Sequence, residues 1–194
     1  MKKKPARRTR DSESAKAHLL QAATDEFAAF GIAGARIDRI GAAANVNKAQ
    51  IYTYFGNKNR LFDVVLDAQV ARLLDEVPLT PEDLPGYAGR LFDFLMENPH
   101  ELRLATWNRM ERTGGRADPP GLAASARKKT KAIAQAQRSG QLSTRFTAED
   151  ILAFTMALVT SWAPTFPMPH GDVKPNNLRQ HRDAIVDAVR LLTG

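Results

Sequence analysis

The fold of this 194-residue chain is decided by residues 36–66, which read RIDRIGAAANVNKAQIYTYFGNKNRLFDVVL. The apolar spacing predicts two short helices, Arg36–Ala44 and Asn47–Phe55, followed by a longer helix over Asn57–Val77. Asn45 lies between the short helices, where the backbone must be left-handed and Asn is the best residue after Gly. Two short helices around such a turn predict a helix-turn-helix, whose second helix enters the major groove of DNA.

Polar residues at helix ends predict where the helices begin and stop. Asn47 and Asn57 can cap the two helices that they precede. The first helix of the chain is expected to begin at a serine cap, Ser12 or Ser14, and to stop at Gly31. Further along, the segment Thr-Ala-Glu-Asp that starts at Thr147 fits a capping box.

The remainder of the chain also has helical periodicity, and no stretch of useful length alternates as a β-strand does. Two segments rich in Gly and Pro, residues 113–121 and 164–175, are expected to be loops. We therefore predict an all-α protein with about nine helices.

The net charge of the chain is concentrated on the segment that contains the motif. Residues 1–60 carry 12 Lys and Arg against 5 Asp and Glu, whereas residues 61–194 carry 16 of each. This localisation favours nucleic acid as the partner over a diffuse surface effect. Residues 1–11 are expected to form a disordered basic arm that lies along phosphates or enters the minor groove. The alternative is a solubilising tail.

The composition excludes several classes of protein. The absence of cysteine excludes a disulfide framework, a thiolate nucleophile and a Cys-ligated zinc site. The longest mostly apolar run, Ile151–Pro164, is shorter than the roughly 20 residues of a membrane span, and no secretory signal follows the basic N-terminus. The four histidines are scattered, and no phosphate loop or nucleophile elbow is present. We expect a soluble cytoplasmic protein that is not an enzyme and has no cofactor, metal or membrane partner.

Exposed positions on the second short helix are the candidate DNA contacts. Its N-terminal half meets base edges, and Gln50 can pair with N6 and N7 of adenine. The tyrosines offer hydroxyls to phosphates, and Lys58 adds a cation to a positive helix end. The alternatives are that one tyrosine is half-buried and structural, and that Lys48 and Arg36 are solvated surface charges. The predicted set is Arg36, Asn47, Lys48, Ala49, Gln50, Tyr52, Thr53, Tyr54, Lys58 and Arg60.

These residues resemble the TetR family of bacterial transcriptional regulators. The matching pattern covers residues 18–66, and its core is Tyr52-x-Tyr54-Phe55-x-x-Lys58. The resemblance implies a homodimer, most simply a repressor, that binds double-stranded DNA at a palindromic operator and is released by a small-molecule effector. It also implies a bacterial, cytoplasmic protein. The expected parts are the basic arm (1–11), a DNA-binding domain (12–56) and a helical ligand-binding and dimerisation domain (57–194).

Several positions depart from the family pattern. Asn45 replaces the usual Gly and Asn47 the commoner Ser, and both keep the chemistry. Ala35 stands where a Thr usually caps the second helix, and Thr53 replaces a larger His or aromatic residue. Both changes remove an expected contact. Arg60 stands where an acidic residue is frequent, and is expected to add a phosphate contact beside Lys58.

Two amphipathic segments near the C-terminus, 148–162 and 176–192, predict a dimer interface. Across a two-fold axis their apolar stripes would form a four-helix interface, which resembles the usual TetR arrangement. The alternative is that a stripe faces the core of its own protomer. The predicted interface residues are Ile151, Thr155, Leu158, Val159, Leu178, His181, Ile185, Ala188 and Leu192.

Bulky apolar residues in the C-terminal part are candidates for an effector pocket, although plain core is the commoner role of such residues. Trp107, with polar neighbours, is the best mixed site and suits an amphipathic small molecule. The predicted pocket residues are Phe92, Leu95, Met96, His100, Arg103, Leu104, Trp107, Met110, Phe154 and Trp162. Residues 127–131 are interpreted as a solvated face. The competing hypothesis is a ligand-independent or architectural DNA-binding regulator whose C-terminal domain only dimerises or recruits a protein partner.

Overall fold

The computed structural model describes residues 6–111, 120–163 and 175–194. In these residues every regular element is helical, which confirms the all-α prediction. The α-helices are α1 (Ala6–Gly34), α2 (Ile37–Ala44), α3 (Lys48–Phe55), α4 (Lys58–Glu76), α5 (Leu84–Glu97), α6 (Pro99–Glu111), α7 (Pro120–Arg138), α8 (Ala148–Thr160) and α9 (Pro175–Thr193), with a short 3-10 helix at Pro81–Asp83 before α5. None of the described helices has both the length and the apolar character that crossing a bilayer requires. The loops predicted between α6 and α7 and between α8 and α9 lie largely outside the described residues.

The chain divides into two compact units. Of the described residues, unit 1 contains 6–68 and 103–111, and unit 2 contains 69–102, 120–163 and 175–194. The division therefore falls within α4 and α6.

The core of unit 1 explains why the first half of α4 belongs to it. Phe27 of α1 and Phe62 of α4 are fully buried and meet edge to face, with ring centroids 5.1 Å apart. Ile40 of α2, Ile51 of α3 and Leu104 of α6 complete the same cluster. Since the side chains of α4 fill the space between α1 and the helix-turn-helix, this part of α4 is required to bury both.

Helix α1 differs from its predicted bounds at one end. It begins at Ala6, so residues 6–11 are helical and the predictions of a disordered arm there and of a start near Ser12 are wrong. The physical reason is that residues 6–30 contain no Gly or Pro and are rich in Ala and Arg, which are strong helix formers. Gly31 does break the helix, with φ 68° and ψ −176°, which confirms the predicted stop. Residues 1–5 of the expected arm lie outside the described residues.

Unit 2 is built around α5, which packs against α8 and α9, while α7 packs against α8. Gly89 allows the closest approach: a Cβ atom there would lie 2.8 Å from the guanidinium of Arg182 on α9. The same guanidinium donates to Asp93 at 2.7 Å. The predicted capping box of α8 is confirmed, because Thr147 and Asp150 each accept a hydrogen bond from the other's backbone N–H.

Candidate functional site

The turn between α2 and α3 is closed by one left-handed residue. Asn45 has φ 53° and ψ 41°, as predicted, and is the one non-glycine residue with positive φ among those described. Its N–H donates to Ala42 O at 3.3 Å, and the N–H of Val46 donates to Gly41 O at 2.9 Å. A Cβ at Gly41 would lie 2.6 Å from Val46 O, so any larger residue there would force the turn open. These bonds satisfy the last carbonyls of α2 and fix the direction of α3.

Helix α3 is capped and then held by two side chains. The Oδ1 atom of Asn47 accepts the N–H of Gln50 at 2.8 Å, which confirms the predicted cap. Ile51 and Phe55 are the buried residues of α3. All its other residues are exposed: Lys48, Ala49, Gln50, Tyr52, Thr53 and Tyr54. The structure thus places six of the predicted DNA contacts on the exposed side of one short helix.

The exposed side chains of α3 differ in what they can still bind. Tyr52 is 41% exposed and Tyr54 63%, so neither is the half-buried structural residue of the alternative interpretation. The hydroxyl of Thr53 donates to Ala49 O at 2.8 Å, so its hydrogen is used within the helix. Thr53 can therefore contact a base only through its methyl group or as an acceptor.

Lys48 carries a charge that is paired within the protein. Its Nζ lies 3.1 Å from a carboxylate oxygen of Asp38, and this hydrogen bond raises the pKa of Lys48 above its usual value. Both side chains are exposed, and exposed ion pairs contribute little free energy. A phosphate group can therefore replace Asp38 at small cost.

Lys58 holds the connector between α1 and α2. Its half-buried ammonium donates to Ala33 O at 3.1 Å and to Ala35 O at 3.0 Å. One of its three N–H groups is left for the predicted phosphate contact. Arg60, one turn into α4, is exposed, and its backbone N–H donates to Oδ1 of Asn57 at 2.9 Å, which confirms the predicted cap of that helix.

A buried carboxylate that the sequence analysis missed organises the start of α2. Glu26 on α1 is 8% exposed and accepts the backbone N–H of Arg36 at 2.7 Å and the Nε–H of Arg39 at 2.8 Å. Burial by itself would raise the pKa of Glu26, but the hydrogen bonds from Arg39 and Arg36 hold it below its usual value. Arg36 itself makes no side-chain cap.

Glu26 therefore does part of the work expected of a helix cap at position 35, where this chain has Ala. It ties α1 to Arg36, the residue that precedes α2, from ten positions upstream. The signal in the sequence was a single acid on the apolar stripe of α1, three residues after Ala23 and next to Phe27. An acid in such a position needs a partner, because an unpaired buried carboxylate is costly.

A cleft of about 370 Å³ lies between α1 and α3, beside the exposed face of the recognition helix. Gln50 and Tyr54 line it from α3, and Lys16 lines it from α1. A molecule bound in this cleft would contact two predicted DNA-binding residues, Gln50 and Tyr54, and the cation of Lys16. Lys16 was not predicted, although it belongs to the basic segment 1–60.

Four of the nine predicted interface residues need correction. Ile151, Thr155, Val159 and Ile185 are buried in the core of unit 2 of their own chain, as the alternative interpretation had it. They have no surface left for a second copy. Five others remain half-buried: Leu158, Leu178, His181, Ala188 and Leu192. His181 stacks on Trp162, with ring centroids 3.4 Å apart.

The predicted pocket residues do not gather in one unit. Arg103, Leu104, Trp107 and Met110 belong to unit 1, whereas Phe92, Leu95, Met96, His100, Phe154 and Trp162 belong to unit 2. Phe92, Leu95 and Leu104 are plain core, at most 3% exposed, because they fill the spaces between packed helices.

Trp107 has a structural task in unit 1. Its indole N–H donates to Ala28 O at 3.3 Å, and its ring lies 2.9 Å from the position that a Cβ of Gly31 would occupy. Glu111 completes this attachment by accepting the N–H of Ala33 at 2.7 Å. The end of α6 therefore fastens onto the break in α1.

The solvated face predicted over residues 127–131 also needs correction at one position. Arg127, Lys128 and Lys131 are exposed, but Lys129 is only 8% exposed. Lys129 lies on the inward stripe of α7, four residues before buried Ile133. The helical period therefore turns this one cation inward.

Comparisons with known proteins agree with this architecture. Residues 19–65 match the family model described as bacterial regulatory proteins, tetR family, and residues 83–190 match the tetracyclin repressor-like C-terminal domain. Over 190 residues the chain is 38% identical to the HTH-type transcriptional repressor SCO4008 of Streptomyces coelicolor, covering 93% of this chain and 96% of the relative.

Two solved structures show how far the similarity extends. The transcriptional regulator SCO4942 from Streptomyces coelicolor has a TM-score of 0.79 and 34% identity, over 92% of this chain and 98% of the other. AibR, solved in complex with isovaleryl coenzyme A and operator DNA, has a TM-score of 0.66 over 90% and 97% of the two chains. At 16% identity, AibR shares the fold alone.

Proposed function

This chain belongs to the TetR family of transcriptional regulators, and on that premise we propose that it represses transcription by binding a palindromic operator as a homodimer, from which a small-molecule effector releases it. Family membership makes it a DNA-binding regulator and not an enzyme. The observation that carries the proposal is the exposed face of α3, which starts at a capped N-terminus and is held by two buried side chains.

Base reading is proposed for the first turn of α3. The backbone N–H of Gln50 is bonded to the cap at Asn47, while its side chain is exposed and has both a donor and an acceptor. That combination pairs with the N6 and N7 atoms of adenine. Six of the other predicted contacts supply phosphate binding, which fixes position on the duplex without reading sequence: Arg36, Lys48, Tyr52, Tyr54, Lys58 and Arg60.

The homodimer is supported by apolar surface on α8 and α9. Leu191 is 82% exposed and Phe154 39%, and the half-buried predicted residues Leu158, Ala188 and Leu192 lie on the same two helices. Two copies of α3 about 34–36 Å apart would then reach successive major grooves, which requires a palindrome.

Binding of a small molecule by a regulator of this fold is supported by AibR, which was solved in complex with isovaleryl coenzyme A and operator DNA. An effector changes DNA affinity by binding the DNA-free arrangement more tightly than the DNA-bound one. Unit 2 contains the apolar helices in which such a ligand would be held.

The test starts from the full-length protein and a random double-stranded DNA library. We expect the selected sequences to be palindromic, with half-sites about one helical turn apart, and the complex to contain two protein chains by sedimentation. Selected sites without symmetry, or a complex of one chain with DNA, would contradict the proposal.

The competing function is a regulator that needs no ligand. A screen that follows thermal stability and tryptophan fluorescence, with operator release as the second readout, separates the two. If no compound changes operator affinity, effector release fails while operator binding by the homodimer stands.

A further inference from the structure

The inward face of α7 changes chemistry along its length. Its buried residues are Ser125, Lys129, Ile133 and Ala136, which follow one another at helical spacing. The last two pack into the apolar core of unit 2. The first two are instead polar residues, each 8% exposed, at positions where a helix normally presents apolar groups.

Lys129 meets Tyr87 of α5 on this face. The Nζ atom of Lys129 lies 5.7 Å from the centroid of the Tyr87 ring. Tyr87 is fully buried, and its hydroxyl has no hydrogen-bond partner among the described residues. The two groups therefore share one region of the interior of unit 2.

No described carboxylate neutralises Lys129. Two acids of α5 and its cap are engaged elsewhere: Asp83 accepts the N–H of Gly86 and lies 3.5 Å from Arg90, and Asp93 binds Arg182. Among the described residues, no ion pair joins Lys129 to Glu97, the other acid of α5. At 5.7 Å from the Tyr87 ring centroid, the Lys129 ammonium lies at the edge of cation–π range, where the interaction is weak. Buried hydroxyls and ammonium groups in folded proteins are otherwise nearly always paired.

We propose that Lys129 and Tyr87 form the anion-binding end of an effector site in unit 2, and that the effector is a monocarboxylate with an apolar body. The inference rests on the proposed function, for which it names the chemical class of the effector. Lys129 would neutralise the carboxylate, and the Tyr87 hydroxyl would donate a hydrogen bond to it. Ser125, one turn before Lys129 on the same stripe, is a further polar group at this end.

The surroundings favour a single negative charge. The other cations of this segment, Arg127, Lys128 and Lys131, are exposed, so one cation faces the inside from this part of the described α7. A phosphate with two negative charges would be left with an uncompensated buried charge. Ile133 and, on α5, Leu91 are buried core residues one turn beyond the two polar groups, so the interior on that side of them is apolar.

The experiment measures ligand binding by the full-length protein without DNA, by thermal shift and calorimetry. The probes are hexanoate, decanoate and 3-phenylpropionate, each compared with its primary amide. We expect at least one carboxylate to raise Tm while its amide does not. Lys129→Met should weaken that carboxylate by at least about tenfold and Tyr87→Phe by about threefold to tenfold, because each removes a buried partner. Lys128→Met, at an exposed neighbouring position, should bind as the wild type does.

Lys129→Met also gives a readout that needs no ligand. If Lys129 has no structural partner, the variant without ligand should melt at the same temperature as the wild type or higher. A lower Tm would overturn the proposal, as would equal binding of carboxylate and amide, unchanged binding by Lys129→Met, or no binding of any probe at 1 mM.

Operator binding is measured separately, so that the two proposals fail separately. If a carboxylate binds through Lys129 but does not release operator DNA, the anion site stands and effector release fails. If the protein binds no palindromic DNA while Lys129-dependent carboxylate binding persists, the operator proposal fails alone. Lys129→Met is expected to bind operator with wild-type affinity.

Discussion

Glu26 accepts the backbone N–H of Arg36 at 2.7 Å, so a residue in the middle of α1 fixes the first residue that leads into α2. The same carboxylate binds Arg39, whose guanidinium also lies 4.2 Å from the ring centroid of Phe30. The approach to the helix-turn-helix is thus controlled by a buried charge. Local capping contributes little there.

Glu26→Gln should lower the free energy of unfolding at neutral pH by about 1–3 kcal/mol, because it weakens a charge-assisted pair of hydrogen bonds. Since the pKa of Glu26 is held below its usual value in the folded state, its stabilisation is present above the unfolded pKa. It is lost as pH falls through the folded pKa. Urea unfolding at pH 7 and pH 3 checks this. An equal loss of stability in wild type and variant on acidification would contradict it.

Glu101 should give the opposite pH dependence. Burial raises the pKa of its carboxyl to about 7, with Arg72 lowering it and Glu76 raising it, and one oxygen is buried without a hydrogen-bond partner among the described residues. The stabilisation from its raised pKa is full below the unfolded value and is lost as pH rises through 7. Against the ordinary value of 4.5 this amounts to about 3 kcal/mol.

Glu101→Gln should therefore remove a decrease in stability between pH 5 and pH 8. Urea unfolding at the two pH values measures it. His100 lies 3.6 Å from the Glu101 carboxylate, and histidine is the side chain that ordinarily changes charge near neutral pH, so His100→Gln is the control. If the decrease disappears in His100→Gln and persists in Glu101→Gln, the histidine and not the carboxyl is responsible.

Gly31→Ala should destabilise unit 1 by two effects. The residue has φ 68°, which L side chains rarely adopt, and its Cβ would meet the ring of Trp107 and the carboxylate of Glu111. We expect a loss of about 2–4 kcal/mol by thermal unfolding. Gly140→Ala is the matched control, because Gly140 has φ 77° with nothing within 4 Å of the added Cβ. Equal losses in both variants would show that the contact with Trp107 contributes nothing.

Lys58 and Arg60 should differ although both are predicted to bind phosphate. Lys58→Met removes the donor to Ala33 O and Ala35 O, so it should lower Tm as well as DNA affinity. Arg60→Ala should lower DNA affinity alone and reduce the slope of log affinity against log salt by about one. Fluorescence anisotropy at several salt concentrations, together with thermal melts, distinguishes them. A fall in Tm for Arg60→Ala equal to that of Lys58→Met would contradict the assignment.

Gln50→Ala should relax base preference and leave the fold unchanged. The backbone bond to Asn47 remains, so Tm should stay within about 1 °C, since a surface change of this kind costs little. Repeating the selection from a random library should show one position per half-site with weaker preference. Gln141→Ala, at an exposed position in unit 2, is the control. Unaltered preference in Gln50→Ala would exclude direct reading by this residue.

The helix-turn-helix could be predicted because its determinants are local. The left-handed Asn45 and the cap at Asn47 lie within a few residues of what they hold. The role of Glu26 could not be predicted, because its partners are ten and thirteen residues away and meet it only through the tertiary fold. The burial of Lys129 could not be predicted for another reason. Alanines lie on several faces of α7, so the sequence shows no single apolar stripe and does not determine which side of the helix is buried.

The way α3 is attached has a consequence for divergence. Ile51 and Phe55 are its buried contacts, and the turn before it depends on Gly41, Asn45 and Asn47. Gene duplicates that keep these five positions can exchange the exposed residues with small effects on folding. Binding to a new DNA site then requires changes only at exposed positions. Several substitutions can be tried together, because the stability effects of exposed positions without shared partners are almost additive.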